Sequence, residues 1–121
     1  MDAEVLKKRS KQLALKGIRL FQQLPRTEEA SILGKQLLRS ATSIAANYRA
    51  ACRARSQAEF FAKLSIVVEE ADETLFWLEL FVEAGIVGET TIQPIYKEAQ
   101  ELLYIFSSSR KTVKTNLEAK K

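Results

Sequence analysis

The stretch from Gln36 to Ala71, QLLRSATSIAANYRAACRARSQAEFFAKLSIVVEEA, repeats apolar residues at helical spacing on both sides of Arg55-Ser56, with no glycine or proline inside it. Such a pattern folds as a helical hairpin turning at Arg55-Ser56, and every other segment must pack on that hairpin. On the first arm Leu33, Leu37, Ala41, Ile44, Tyr48 and Ala51 keep one stripe for several turns. On the second, Ser56 and Glu59 form a capping box before Phe60-Phe61, and Phe60, Leu64, Val67, Ala71, Leu75, Leu78 and Val82 follow at helical spacing. This arm is expected over 57–84, about 40 Å at the helical rise, with Gly85 as the residue that stops it. Phe61, Val68, Phe76, Trp77, Leu80 and Phe81 widen its apolar face beyond what two neighbouring helices cover. A central position in the bundle and contact with another subunit are both expected.

Two more helices flank the hairpin. Residues 3–24 place Leu6, Leu13, Gly17, Leu20 and Leu24 on one stripe, and Pro25 ends it. Thr27 then caps a helix over 28–54, with Glu28 and Glu29 in its first turn. Folding back about Pro25 brings Gly17 and Gly34 to one level, where two absent side chains allow a close helix crossing. After a loop at 88–91, with Thr90 or Thr91 as cap, Ile92, Ile95, Tyr96, Ala99, Leu102, Leu103 and Phe106 mark a fourth helix over 91–109. The tail 110–121 keeps only Val113 and Leu117 as apolar residues and is expected to fray. The sum is one all-α domain spanning 1–121, an antiparallel up-down-up-down four-helix bundle.

Composition closes most routes to catalysis. No histidine exists, which removes Ser-His-Asp and Cys-His chemistry, His-containing zinc sites and the Glu-x-x-His di-iron sites of helical bundles. Cys52 stands alone among alanines and reads as a small half-buried hydrophobe in a reducing compartment. There is no glycine-rich phosphate loop, and no run of apolar residues is long enough to cross a membrane. The charged N-terminus lacks a signal-peptide core. A non-enzymatic, cytoplasmic bacterial protein with no cofactor is the expectation.

Charge is segregated. The third helix carries Glu59, Glu69, Glu70, Asp72, Glu73, Glu79 and Glu83 against Lys63, while the other three are basic within a net charge of +4. Arg39 is level with Asp72 and Glu73 across the hairpin, and a structural ion pair there is the expected use of that arginine. Carboxylates at Glu69, Glu70 and Glu73 would serve a hard metal only by converging, a minor alternative. Arg49, Arg53 and Arg55, with Lys63 across the turn, have few acids at their level. With Lys7, Lys8, Lys11 and Lys16 of the first helix, and Arg110, Lys111 and Lys114 of the tail, they are candidates for binding phosphates of RNA or DNA. The competing reading is a solvated end of the bundle. Ser40, Ser43 and Asn47 form a polar stripe beside the core and are expected to hydrogen-bond across a helix or subunit interface.

The residues Gln36 to Ile44, Ala46-Asn47, Arg55-Ser56 with Glu59-Phe60, Glu69 to Leu75, Trp77 to Leu80, Ala84-Gly85 and Glu98-Ala99 carry a resemblance. They resemble the four-helix-bundle proteins related to those encoded in 23S rRNA intervening sequences, also called S23 ribosomal protein-like. The chain is similar as well to the accessory bundle protein of diversity-generating retroelements, which binds nucleic acid and a reverse transcriptase. Ala45 replaces a common proline of the family, and Arg49 to Ala54 replaces a glycine-containing segment. The resemblance implies a homo-oligomeric ring, typically a pentamer, with no catalytic residues. The functional expectation is an oligomeric bundle that binds structured RNA through basic surface residues, against the alternative of a protein-interaction scaffold whose partner is unknown.

Overall fold

The computed structural model describes residues 1–120 as four helices: α1 (Ala3–Gln23), α2 (Glu28–Cys52), α3 (Gln57–Glu83) and α4 (Glu89–Ala119). Consecutive helices lie side by side, and α1 meets α4 along a shorter line, which closes the antiparallel bundle. No strand is present among the described residues.

Each of the first three helices begins where a side-chain oxygen can replace a missing backbone partner. Asp2 accepts from the N–H of Val5 at 2.9 Å, Thr27 from that of Ala30 at 3.2 Å, and Ser56 from that of Glu59 at 3.1 Å. At the end of α3, Gly85 takes a φ of 71°, and the N–H groups of Gly85 and Ile86 reach the carbonyls of Val82 and Phe81 at 3.0 and 2.9 Å. This is a Schellman closure, and its left-handed residue is the glycine foreseen there.

The fourth helix departs from expectation at both ends. It starts at Glu89 behind Gly88, with no side-chain cap, so Thr90 and Thr91 lie inside its first turn. Its far end continues to Ala119 rather than fraying after residue 109, and residue 121 of the expected tail lies outside the described residues. The extension finds partners on the first turns of α3. Arg110 donates from Nε to Ser65 Oγ at 2.8 Å and lies 4.6 Å over the Phe61 ring, while Lys120 Nζ donates to Gln57 Oε1 at 3.3 Å. Val113 and Leu117 are half-buried on the same side. Two apolar residues suffice because they dock against a preformed helix, where packing supplies what propensity lacks.

Leu13, Leu37, Ile44, Leu64, Leu78, Phe81, Leu102 and Phe106 are fully enclosed, and Tyr48 stacks on Phe106 with ring centroids 4.8 Å apart. Burial raises the Tyr48 phenol well above its ordinary range. On α3 the surplus apolar residues divide: Phe61, Val68 and Trp77 are half-buried, whereas Phe76 remains 51% exposed and Ile66 37%.

Candidate nucleic-acid interface

The α1–α2 pair is pinned at one end and open at the other. A Cβ on Gly17 would stand 3.1 Å from Ala41 Cβ, and one on Gly34 would stand 2.6 Å from Leu24 Cδ1 and 2.9 Å from Phe21 Cδ1. The two glycines therefore do not share the one level expected of them: Gly17 admits Ala41, and Gly34, nearer the turn, admits Leu24 and Phe21, giving two successive close contacts between α1 and α2. Towards the N-terminus of α1 the two helices leave an open groove of about 880 Å³. Val5, Ala45 and Ala46 supply its small apolar floor; Lys7, Lys8 and Lys11 line one wall, and Arg49 and Arg53 the other. Glu4 brings the lone negative charge of the lining and holds Lys7 at 2.6 Å. Lys8, Lys11, Arg49 and Arg53 have no carboxylate partner among the described residues.

No aromatic side chain lines the groove, so it offers nothing on which a base could stack. Cations around a shallow alanine floor suit a strand of phosphates instead. Arg49 in the last turn of α2 and Arg53, the residue that caps it, both border the groove, and the antiparallel pairing sets them against Lys8 and Lys11. Other candidates lie elsewhere. Lys16 is farther along α1, Arg55 is in the turn between α2 and α3, and Lys63 is half-buried on α3; none lines the groove. Arg110 is engaged by Ser65 and Phe61, while Lys111 and Lys114 remain exposed on α4.

Arg39 does form the cross-hairpin ion pair, but with Glu70 and Glu73 rather than with Asp72 and Glu73. Nη1 meets Glu70 Oε2 at 2.8 Å and Nη2 meets Glu73 Oε1 at 2.5 Å. Asp72 is exposed because helical geometry turns it about 100° from Glu73 and further still from Glu70. Glu70, Glu73 and Trp77 share one face, and Trp77 Nε1 donates to Glu73 Oε1 at 3.3 Å. Hydrogen bonds to Glu70 first and Glu73 second raise the Arg39 guanidinium, and the hydrogen bond from Arg39 holds the Glu73 carboxyl below the ordinary range. Two of the three carboxylates considered for a metal are therefore turned to an arginine, and among the described residues no three metal-ligating side chains converge.

The polar stripe of α2 splits in two. Ser40 is enclosed and accepts from Thr74 Oγ1 at 2.9 Å, bridging α2 to α3. Asn47 instead turns back along its own helix, its Nδ2 donating to Ser43 O and Oγ, each at 2.9 Å. One tie between helices was not expected from the sequence. Arg9 reaches α4, with Nε at 2.9 Å and Nη2 at 2.8 Å from Glu98 Oε1, and Nη2 at 3.1 Å from Glu101 Oε1. Burial opposes its charge, yet the bonds to these carboxylates outweigh it and raise the guanidinium. Only the paired acids at Glu98 and Glu101, one turn apart, hinted at a cationic partner.

No curated protein matches the chain. Among solved structures, a protein of unknown function from the S23 ribosomal protein family of Bacteroides thetaiotaomicron has a TM-score of 0.85 and 34% identity, covering 92% of this chain and 99% of that one. The family model described as 23S rRNA-intervening sequence protein matches residues 2–108. The bundle, the fold likeness and that match together establish that this chain belongs to the 23S rRNA-intervening sequence protein family.

Proposed function

We propose that the chain is a non-enzymatic, oligomeric helical bundle that binds structured RNA through the α1–α2 groove. One observation carries the reading: Lys8, Lys11, Arg49 and Arg53 converge without carboxylate partners on a groove free of aromatic side chains. The grip falls on the phosphate backbone, so binding is strong at low salt and weakly dependent on sequence. The family description, with its 23S rRNA-intervening sequence, agrees with RNA as the nucleic acid. Described residues include no helix long and apolar enough to cross a membrane, and the setting we infer is the bacterial cytoplasm.

Assembly is the second part of the proposal. Phe76 and Ile66 of α3, with Ile32 of α2 at 56% exposure, are large apolar side chains turned outward, and a further subunit would cover them. The resemblance to ring-forming bundles suggests a pentamer. Light scattering tests both parts: the mass is measured for the protein alone and with a structured RNA, at low and at physiological salt. An oligomer whose mass rises with RNA at low salt, and rises less at physiological salt, supports the reading. A monomer with no change would remove it, and an oligomer indifferent to RNA would leave the protein-interaction scaffold.

A further inference from the structure

We propose that Arg9 is a positioning residue for the α1–α2 groove: its tie to Glu98 and Glu101 of α4 holds the N-terminal half of α1 where Lys8 and Lys11 face Arg49 and Arg53. The inference rests on the nucleic-acid reading of that groove. Contacts at Gly17 and Gly34 fix the spacing of α1 and α2 at one end only. Beyond them the groove opens along one side of α1, whose contact with α4 on the other side is short. Among the described residues the two ion pairs of Arg9 are the ones that join α1 to another helix; the Lys7 pair stays within α1. The joint is half-buried, with the Arg9 side chain 18% exposed and that of Glu98 24%, and its forked donors fix direction as well as distance.

Arg9 follows Lys8 in the chain but does not line the groove. Its charge is spent on α4. One arginine facing two carboxylates leaves a local excess of negative charge, so the cluster by itself repels a polyanion. A purely electrostatic role and a positioning role therefore predict opposite signs when those carboxylates are removed.

The test is the double variant Glu98→Gln with Glu101→Gln, titrated with a fluorescent RNA hairpin at fixed low salt. Positioning predicts binding about threefold to tenfold weaker, the range for coupling carried through a packed element, although two negative charges have gone. It also predicts a broader distance distribution between spin labels placed at Val5 of α1 and Ala46 of α2, the two helices that form the groove, in a Cys52→Ser background. Arg9→Lys, which keeps a cation in reach of Glu98, should retain most of the affinity. Glu101→Gln alone removes the more exposed partner and should shift binding in the same direction by less, which serves if the double variant folds poorly. Tighter or unchanged binding with an unchanged distance distribution would overturn the role. If Arg49→Gln with Arg53→Gln still weakens binding in that case, only the positioning role falls; if that pair has no effect either, the groove reading falls with it.

Discussion

Arg39 and Arg49 of α2 and Arg53 at its C-terminal cap are exposed and are the same kind of residue, yet they face opposite fates. At Arg39 the neighbouring helix presents Glu70 and Glu73, and the charge is neutralised where α2 is pressed between α1 and α3. Two turns and more further on, α2 borders the groove, the neighbour across it is mostly basic, and Arg49 and Arg53 have no carboxylate partner among the described residues. Counting charges along α2 does not separate the two regions. What separates them is the face that the adjacent helix turns towards each arginine, and that depends on where Gly17 and Gly34 allow the bundle to close.

The largest expected effect falls on the open region. Arg49→Gln with Arg53→Gln should weaken RNA-hairpin binding by about 10-fold to 100-fold at low salt, read by fluorescence anisotropy, with the thermal midpoint nearly unchanged. Next comes the closed region. Arg39→Gln strands the buried Glu70 carboxylate and should cost about 1–2 kcal/mol of stability in urea unfolding, with RNA affinity altered by less than about twofold. A large affinity loss in Arg39→Gln would erase the distinction between the regions.

Acid sharpens the comparison further. The folded-state Glu73 carboxyl lies below its ordinary value, so its contribution is present above the unfolded value of about 4.3 and is lost as pH falls through the folded value. The stability gap between the wild-type chain and Arg39→Gln should therefore narrow below about pH 4 in urea titrations, by a fraction of a kcal/mol because Glu73 is partly exposed. The smallest effect belongs to cations outside the groove: Lys16→Gln, Arg55→Gln and Lys63→Gln together should reduce RNA affinity by less than about threefold in the same anisotropy assay.

Sequence pattern was enough for the four helices because apolar spacing, the caps at Thr27 and Ser56 and the stop at Gly85 all point the same way. The close approach of α1 to α2 was legible in the two glycines but their register was not: Gly17 faces Ala41 and Gly34 faces Leu24 and Phe21, so they lie at different levels and not at one. Basic charge alone grouped Arg49 and Arg53 with Lys7, Lys8 and Lys11, and it grouped Lys16, Arg55 and Lys63 with them although these lie outside the groove. Level along the hairpin was not enough to choose between Asp72 and Glu70, since both are near Arg39 in height and only the angle around α3 distinguishes them. The tie from Arg9 to Glu98 links residues far apart in the chain on helices that meet briefly, and nothing local encodes that angle. The tail failed for the converse reason, because its helicity is imposed by α3 through Phe61 and Ser65.

The most direct test of the distinction between open and closed arginines is the salt dependence of RNA binding for the wild-type chain, Arg49→Gln with Arg53→Gln, and Arg39→Gln. With four cations on the groove that have no carboxylate partner, the slope of log affinity against log salt should be about −3 for the wild type, close to −1.5 for the groove pair, and unchanged for Arg39→Gln. A wild-type slope near zero, or an equal flattening in Arg39→Gln, would contradict the account.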